Sequence, residues 1–139
     1  MEHRGRNCTI PALDVDLDDA RACFETNFFA VIALTQTFTP LLIRAKGLIL
    51  NIGSVAAVTP YVFGSVYNAS KAALHSYSDT LRLELAPFDV RVLVVVTGGV
   101  KSRIARRERI RQFGSEIFCS QDSKDFRAVL TGSEPPWLS

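Results

Sequence analysis

The chain of 139 residues holds only two histidines, His3 and His75, which is too few for a His-based metal site. Its cysteines, Cys8, Cys23 and Cys119, are odd in number and have neither metal-ligand nor redox spacing. Free thiols in a reducing compartment are the expectation. No uninterrupted apolar run approaches the ~18 residues that a membrane span needs. The longest, Phe28 to Leu34, has seven. The start, Met1-Glu2-His3-Arg4, is not followed by the apolar stretch of a secretory signal. The glycines, Gly5, Gly47, Gly53, Gly64, Gly98, Gly99, Gly114 and Gly132, nowhere form G-x-G-x-x-G. That motif lets backbone amides approach a dinucleotide pyrophosphate at a helix N-terminus. Gly53-Ser54-Val55-Ala56 is not the G-x-S-x-G of a nucleophile elbow. Ser-x-x-Lys chemistry fails as well, because residue 68 is Asn.

What is present reads as an α/β unit. Asp14 or Asp16 can cap a helix whose first turn holds Asp18 and Asp19, where negative charge suits the helix dipole. Leu17, Ala20, Phe24, Phe28, Val31, Leu34, Phe38 and Leu41 recur in steps of three and four, which predicts one buried stripe. Pro40 should kink or end that helix. Leu48 to Ile52 is continuously apolar apart from Asn51 and reads as a strand buried on both faces. Residues 53–64 form a loop. A second helix is predicted from about Val66 to Ala86, stopping before Pro87, with Leu74, Tyr77, Leu81 and Leu85 on its packing face. A strand over 90–96 follows. Strand, helix and strand make a right-handed βαβ crossover.

Tyr67 and Lys71 lie four residues apart near the start of the second helix, with Ser54 in the preceding loop. Side chains at i and i+4 share a helix face. A cation held close to a phenol favours the phenolate, which makes a better acid or base at neutral pH. Chance supplies Tyr-x-x-x-Lys often, so its surroundings carry the weight. They run strand, hydroxyl-bearing loop, helix with Tyr and Lys, strand, then Thr97-Gly98-Gly99. His75, one turn beyond Lys71, reads as a surface or packing residue. By itself Asn27, on the first helix, reads as an exposed polar residue.

From about Thr9 to Ile104 this order resembles the short-chain dehydrogenase/reductase family. The resemblance implies a catalytic tetrad of Asn27, Ser54, Tyr67 and Lys71, whose spacings of 27, 13 and 4 are those of the family. Asn51-Ile52-Gly53-Ser54 stands for the usual Asn-Ile-Ser-Ser and keeps the second serine. Thr97-Gly98-Gly99-Val100-Lys101-Ser102 stands for Pro-Gly-x-x-x-Thr, without the proline and with serine for threonine. The family's Asn-Asn-Ala-Gly and its Gly-rich turn are absent. The resemblance therefore implies a truncated Rossmann-type parallel sheet, a βαβ unit with long helices, whose N-terminal dinucleotide-binding half is missing. Residues 1–104 are expected to be this partial domain, and 105–139 a divergent, loop-rich or partly disordered tail.

The implied activity is NAD(P)(H)-dependent oxidoreduction of a carbonyl or secondary alcohol, with NADP(H) favoured over NAD(H). Tyr67 and Lys71, with Gly98, Val100 and Ser102, would contact the cofactor. Gly53-Ser54-Val55-Ala56-Ala57 and the 96–102 turn are most similar to fungal 1-acyldihydroxyacetone-phosphate reductases. That similarity implies a phosphorylated lipid substrate and a cytoplasmic place at the endoplasmic reticulum or lipid-droplet surface. Charge is divided to match. Residues 1–89 carry a net of −2 and 90–139 a net of +4, concentrated in Lys101, Arg103, Arg106, Arg107, Arg109 and Arg111. Such a cationic lid suits an acidic lipid or peripheral contact with an anionic membrane face. Nucleic-acid binding is not indicated, because the cations lack interleaved aromatics. Helices 16–42 and 66–86 would form a homo-oligomer. A different class of reading is an inactive remnant that acts only as a dimerisation or interaction module. The missing glycine turn favours the remnant, and the complete tetrad favours the enzyme.

Overall fold

The structure is a computed structural model that describes residues 6–98. The expected cationic lid, the tail 105–139, Val100 and Ser102 lie outside the described residues. The first helix begins at α1 (Leu17–Phe24), and Asp16 is the cap: its Oδ1 accepts the Asp18 N–H at 2.7 Å. A single π turn, Glu25–Phe29, then leads into α2 (Ala30–Ala45). Pro40 lies inside α2 without ending it. Proline removes the N–H that the Gln36 carbonyl would accept, at a residue on the exposed side of the helix. Two threonine hydroxyls bond back along the same helix, Thr37 to the Ala33 carbonyl and Thr39 to the Thr35 carbonyl.

The predicted apolar stripe is only partly covered: Val31 is buried, and Ala20, Phe24, Phe28 and Leu34 are half-buried. Leu17, Phe38 and Leu41 are 66%, 44% and 52% exposed. Full burial falls on Cys23, Asn27, Val31 and Thr35, each four residues from the next, so the buried line shares only Val31 with the predicted stripe. The π turn inserts extra rotation, so the periodicity read from the sequence does not carry through it. From end to end, Leu17–Ala45 is long and apolar enough to cross a membrane by length and composition alone. Its buried face is nevertheless polar at Asn27 and Thr35, and Asn27 is bonded to Ser70.

Lys46 adopts a left-handed conformation at φ 48°, and the Gly47 N–H donates to the Leu42 carbonyl at 2.9 Å, which closes α2. Strand β1 (Leu48–Ile52) follows, then a short 3₁₀ turn at Val55–Ala57. Helix α3 (Ser65–Leu85) ends in a second 3₁₀ turn that contains Pro87. Strand β2 (Arg91–Val95) pairs in parallel with β1, Ile49 opposite Val92 and Asn51 opposite Val94. The expected βαβ order is therefore present. Phe63, just before α3, has φ 64°. The Ile10 N–H donates to its carbonyl at 2.9 Å, fixing the entry to the helix.

The core is Ile49, Leu81, Leu85, Val90 and Val92, with Leu42, Ile43 and Tyr77 packed against it. The expectation that β1 is buried on both faces is corrected. Its burial alternates, because α3 covers the face of Ile49 and Asn51 only. Leu48, Leu50 and Ile52 are exposed on the other face, beside Leu93 and Val95 of β2. An edge-to-face contact of rings joins the π turn to α3, Phe28 to Tyr77 at 5.9 Å between centroids.

Candidate active site

Three levels of α3 bond to β1 and the loop that follows it. Lys71 Nζ donates to the Ile52 carbonyl at 2.9 Å. The Ser54 N–H donates to His75 Nε2 at 3.2 Å. Asn51 Nδ2 donates to Ser78 Oγ at 2.9 Å, and that hydroxyl donates to the Leu74 carbonyl. Positions 71, 75 and 78 share one helix face by their spacing. This polar face holds the strand end at a set height along the helix, while Leu74, Leu81 and Leu85 supply the apolar contact beside it.

Lys71 is 6% exposed, and its Nζ lies 5.9 Å from the centroid of the Tyr67 ring. The pairing expected from the sequence is present, with a difference. The ammonium lies over the ring face, drawn toward the Ile52 carbonyl, at the outer range of a cation–π contact. Ser54 is extended at φ −159°, and its Oγ accepts the Ala56 N–H at 3.1 Å. With its acceptor side engaged, the hydroxyl keeps its own proton to donate.

Asn27 is buried, contrary to the reading of that residue alone. Its Oδ1 accepts the Arg6 N–H at 2.8 Å, and its Nδ2 donates to the Arg6 carbonyl at 2.7 Å. The same amide donates to Ser70 Oγ at 3.1 Å, and Ser70 donates to the Tyr67 carbonyl at 2.8 Å. Asn27 is thus joined through Ser70 to the turn of α3 that carries Tyr67 and Lys71. The π turn at this asparagine is a local departure of the kind that often marks functional positions.

Sequence reasoning passed over Ser70 and Cys23. Ser70 is three residues from Tyr67, and Cys23 is four from Asn27, so helical spacing alone placed both beside site residues. The Cys23 thiol is fully buried against Ser70 and the Arg6 carbonyl. Thr97, which stands where the family has proline, was also undervalued. Its Oγ1 donates to the Gly53 carbonyl at 3.0 Å, and its carbonyl accepts the Val55 N–H at 3.0 Å. These bonds tie the end of β2 to the Ser54 loop, restraint that proline would have supplied by fixing its own φ. Gly98 closes the described segment, with open space where a Cβ would be.

Burial lowers the Lys71 pKa below its usual 10.5, and the nearby Cys23 opposes that shift. Burial raises the Cys23 thiol above its usual 9.0, against hydrogen bonds and nearby cations. The consequences for stability have opposite signs. Below its folded value Lys71 is protonated in both folded and unfolded chains, and the fold carries the full cost of its burial. As pH rises through the folded value toward 10.5, the folded chain releases the proton first and stability rises. Cys23 contributes stability that is fully present below 9.0 and is lost above it, because only the unfolded thiol ionises there. In a Cys23→Ala background, denaturant melts should therefore show stability rising as pH approaches 10.5 from below, and Lys71→Met should remove that rise. Parallel profiles with and without Lys71 would contradict the assigned cause.

A family model described as short chain dehydrogenase matches residues 4–112. The NADPH-dependent 1-acyldihydroxyacetone phosphate reductase of Schizosaccharomyces pombe is 46% identical over 104 residues, 75% of this chain and 35% of that protein. Short-chain dehydrogenase fogD of Aspergillus ruber is 39% identical over 127 residues, 91% of this chain and 44% of that protein. The chain thus spans less than half the length of these curated relatives. A short chain dehydrogenase from Burkholderia cenocepacia, solved in complex with NADP, superposes with a TM-score of 0.70 at 27% identity. That match covers 95% of this chain and 54% of the solved one. A short-chain dehydrogenase from Streptomyces avermitilis gives a TM-score of 0.67 at 30% identity, covering 72% and 38%.

Proposed function

The chain belongs to the short-chain dehydrogenase family, and from that premise we propose that it carries the catalytic residues of an NAD(P)(H)-dependent oxidoreductase acting on a carbonyl or secondary alcohol. The observation that carries the reading is the placement of a buried lysine over the ring of Tyr67, with a hydroxyl preset as a donor at Ser54. In the reductive direction Tyr67 gives its proton to the carbonyl oxygen, and Ser54 holds that oxygen by donating to it. Lys71 places positive charge beside the tyrosine as that proton leaves. Asn27 anchors the turn that presents both residues. In the oxidative direction the proton returns to Tyr67.

A bound nicotinamide supplies or accepts the hydride. The donor set fits its ribose end: the Lys71 ammonium has three N–H groups, and the Ile52 carbonyl takes one. Among the described residues no Gly-rich turn matches the pyrophosphate. Gly98, Val100 and Ser102 complete the proposed cofactor contacts. NADP(H) is favoured over NAD(H), because the matched reductases of S. pombe and Saccharomyces cerevisiae are NADPH-dependent. The same two relatives support an acylated dihydroxyacetone phosphate as the substrate class. The buried Cys23 thiol suits a reducing, cytoplasmic setting.

The test joins the 139-residue chain to the N-terminal half of the S. pombe reductase. The hybrid should oxidise NADPH when given 1-acyldihydroxyacetone phosphate. A hybrid that folds and binds NADPH yet turns over no carbonyl would overturn the enzyme reading. One observation favours the interaction-module reading instead. The exposed stripe of Leu17, Phe38 and Leu41 is a surface through which two copies could meet. Replacing Phe38 and Leu41 by Glu should then shift the full chain to smaller species in analytical ultracentrifugation. An unchanged distribution would remove this surface from consideration.

A further inference from the structure

Gly53 and His75 are both explained by one contact. A Cβ built on Gly53 would overlap His75 Nε2 and would also meet Val94 Cγ1 at 2.7 Å. The imidazole thus fills the space where a side chain at 53 would begin. Its Nε2 accepts the N–H of the next residue, Ser54. A neutral imidazole that accepts at Nε2 carries its proton on Nδ1. Either side of this bond is otherwise secured. The Gly53 N–H donates to the Val95 carbonyl at 2.9 Å, and the Val55 N–H donates to the Thr97 carbonyl at 3.0 Å. The Ser54 amide is the one between them, and β2 does not reach it.

We propose that His75 is a positioning residue for the carbonyl chemistry: it fixes Ser54 through the serine's main-chain amide, and Gly53 is glycine because the imidazole occupies its side-chain space. The proposal rests on the reading that the Ser54 hydroxyl holds the substrate oxygen. Its physical content is orientation. The hydroxyl is set by the φ and ψ of Ser54 and by the Ala56 N–H that it accepts. An amide without an acceptor in this buried loop would seek another partner and rotate the serine.

Two substitutions separate the acceptor from the bulk. His75→Phe keeps a ring but presents C–H to the Ser54 amide. His75→Gln places its Oε1 near the position of Nε2. In the hybrid enzyme, His75→Phe should lower kcat about tenfold to a hundredfold while leaving the KM for NADPH unchanged. His75→Gln should recover most of that loss. Gly53→Ala should destabilise the fold alone and should recover part of that stability when combined with His75→Ala, which removes the imidazole and leaves the Val94 contact. Near-UV circular dichroism of each variant identifies any that fails to fold.

A second measurement does not depend on activity. In the full 139-residue chain, hydrogen exchange of the Ser54 amide should quicken about fivefold in His75→Phe and return toward the parent in His75→Gln. Unchanged exchange in His75→Phe overturns the proposal. So does a kcat equal to that of the parent. If the parent hybrid has no reductase activity while exchange responds as described, the proposed function fails and the coupling of His75 to Ser54 stands.

Discussion

Tyr67→Phe is expected to lower carbonyl reduction by about 10²–10⁴-fold, the range that a positioned acid–base group contributes. The change removes one oxygen and keeps the ring. Lys71 therefore retains its place over the aromatic face, and its bond to the Ile52 carbonyl is untouched. The Ser70 bond goes to the Tyr67 main-chain carbonyl, so the side-chain change does not disturb it. The near-UV spectrum should match that of the parent. The loss should appear in kcat, since a proton donor acts in the transition state. Steady-state kinetics of the hybrid enzyme with a saturating carbonyl substrate make the measurement. Equal turnover by parent and variant would show that another group supplies the proton.

Leu74→Ala should have the largest effect on folding. Leu74 is fully buried on α3, at 0% exposure, one turn beyond Lys71. Truncating a buried leucine costs about 2–5 kcal/mol through lost burial and the cavity left behind. A whole domain has only about 5–15 kcal/mol in hand. The described sheet has two strands, and its second face shows Leu48, Leu50, Leu93 and Val95 to solvent. A unit of this kind has less margin than a complete domain. The variant should lose its near-UV signal and its cooperative melt at room temperature. Leu83→Ala is the control on the same helix: Leu83 is 75% exposed and should change stability by no more than about 0.5 kcal/mol. Coincident melts for Leu74→Ala and the parent would mean that the site's helix is held by something other than this packing.

Local order was legible where one element decides the outcome. The run at 48–52 is a strand, α3 starts and stops within a residue of expectation, and Leu74, Leu81 and Leu85 are its buried face. Of the two candidate caps, Asp14 and Asp16, the structure uses Asp16. These features depend on capping, proline placement and periodicity, which are properties of contiguous residues. The tetrad was legible for a different reason, since spacing and residue type together resemble a family pattern that was already known.

The errors share one cause, which is that they concern what lies across from a residue. The apolar stripe of the first helix is covered only in part: Val31 is buried, while Leu17, Phe38 and Leu41 meet no second element among the described residues and face solvent. Asn27 is buried because the backbone of Arg6 offers it a donor and an acceptor 21 residues away. Residue type and spacing along the chain therefore determined the helices, the parallel βαβ order and the set of residues able to carry acid–base chemistry. Tertiary structure alone decided which faces are covered, that the Lys71 ammonium lies over the ring of Tyr67, and that His75 holds Ser54. A helical period places side chains relative to their own axis. Burial and hydrogen bonding depend on the rotation and distance of a second element, which no period encodes.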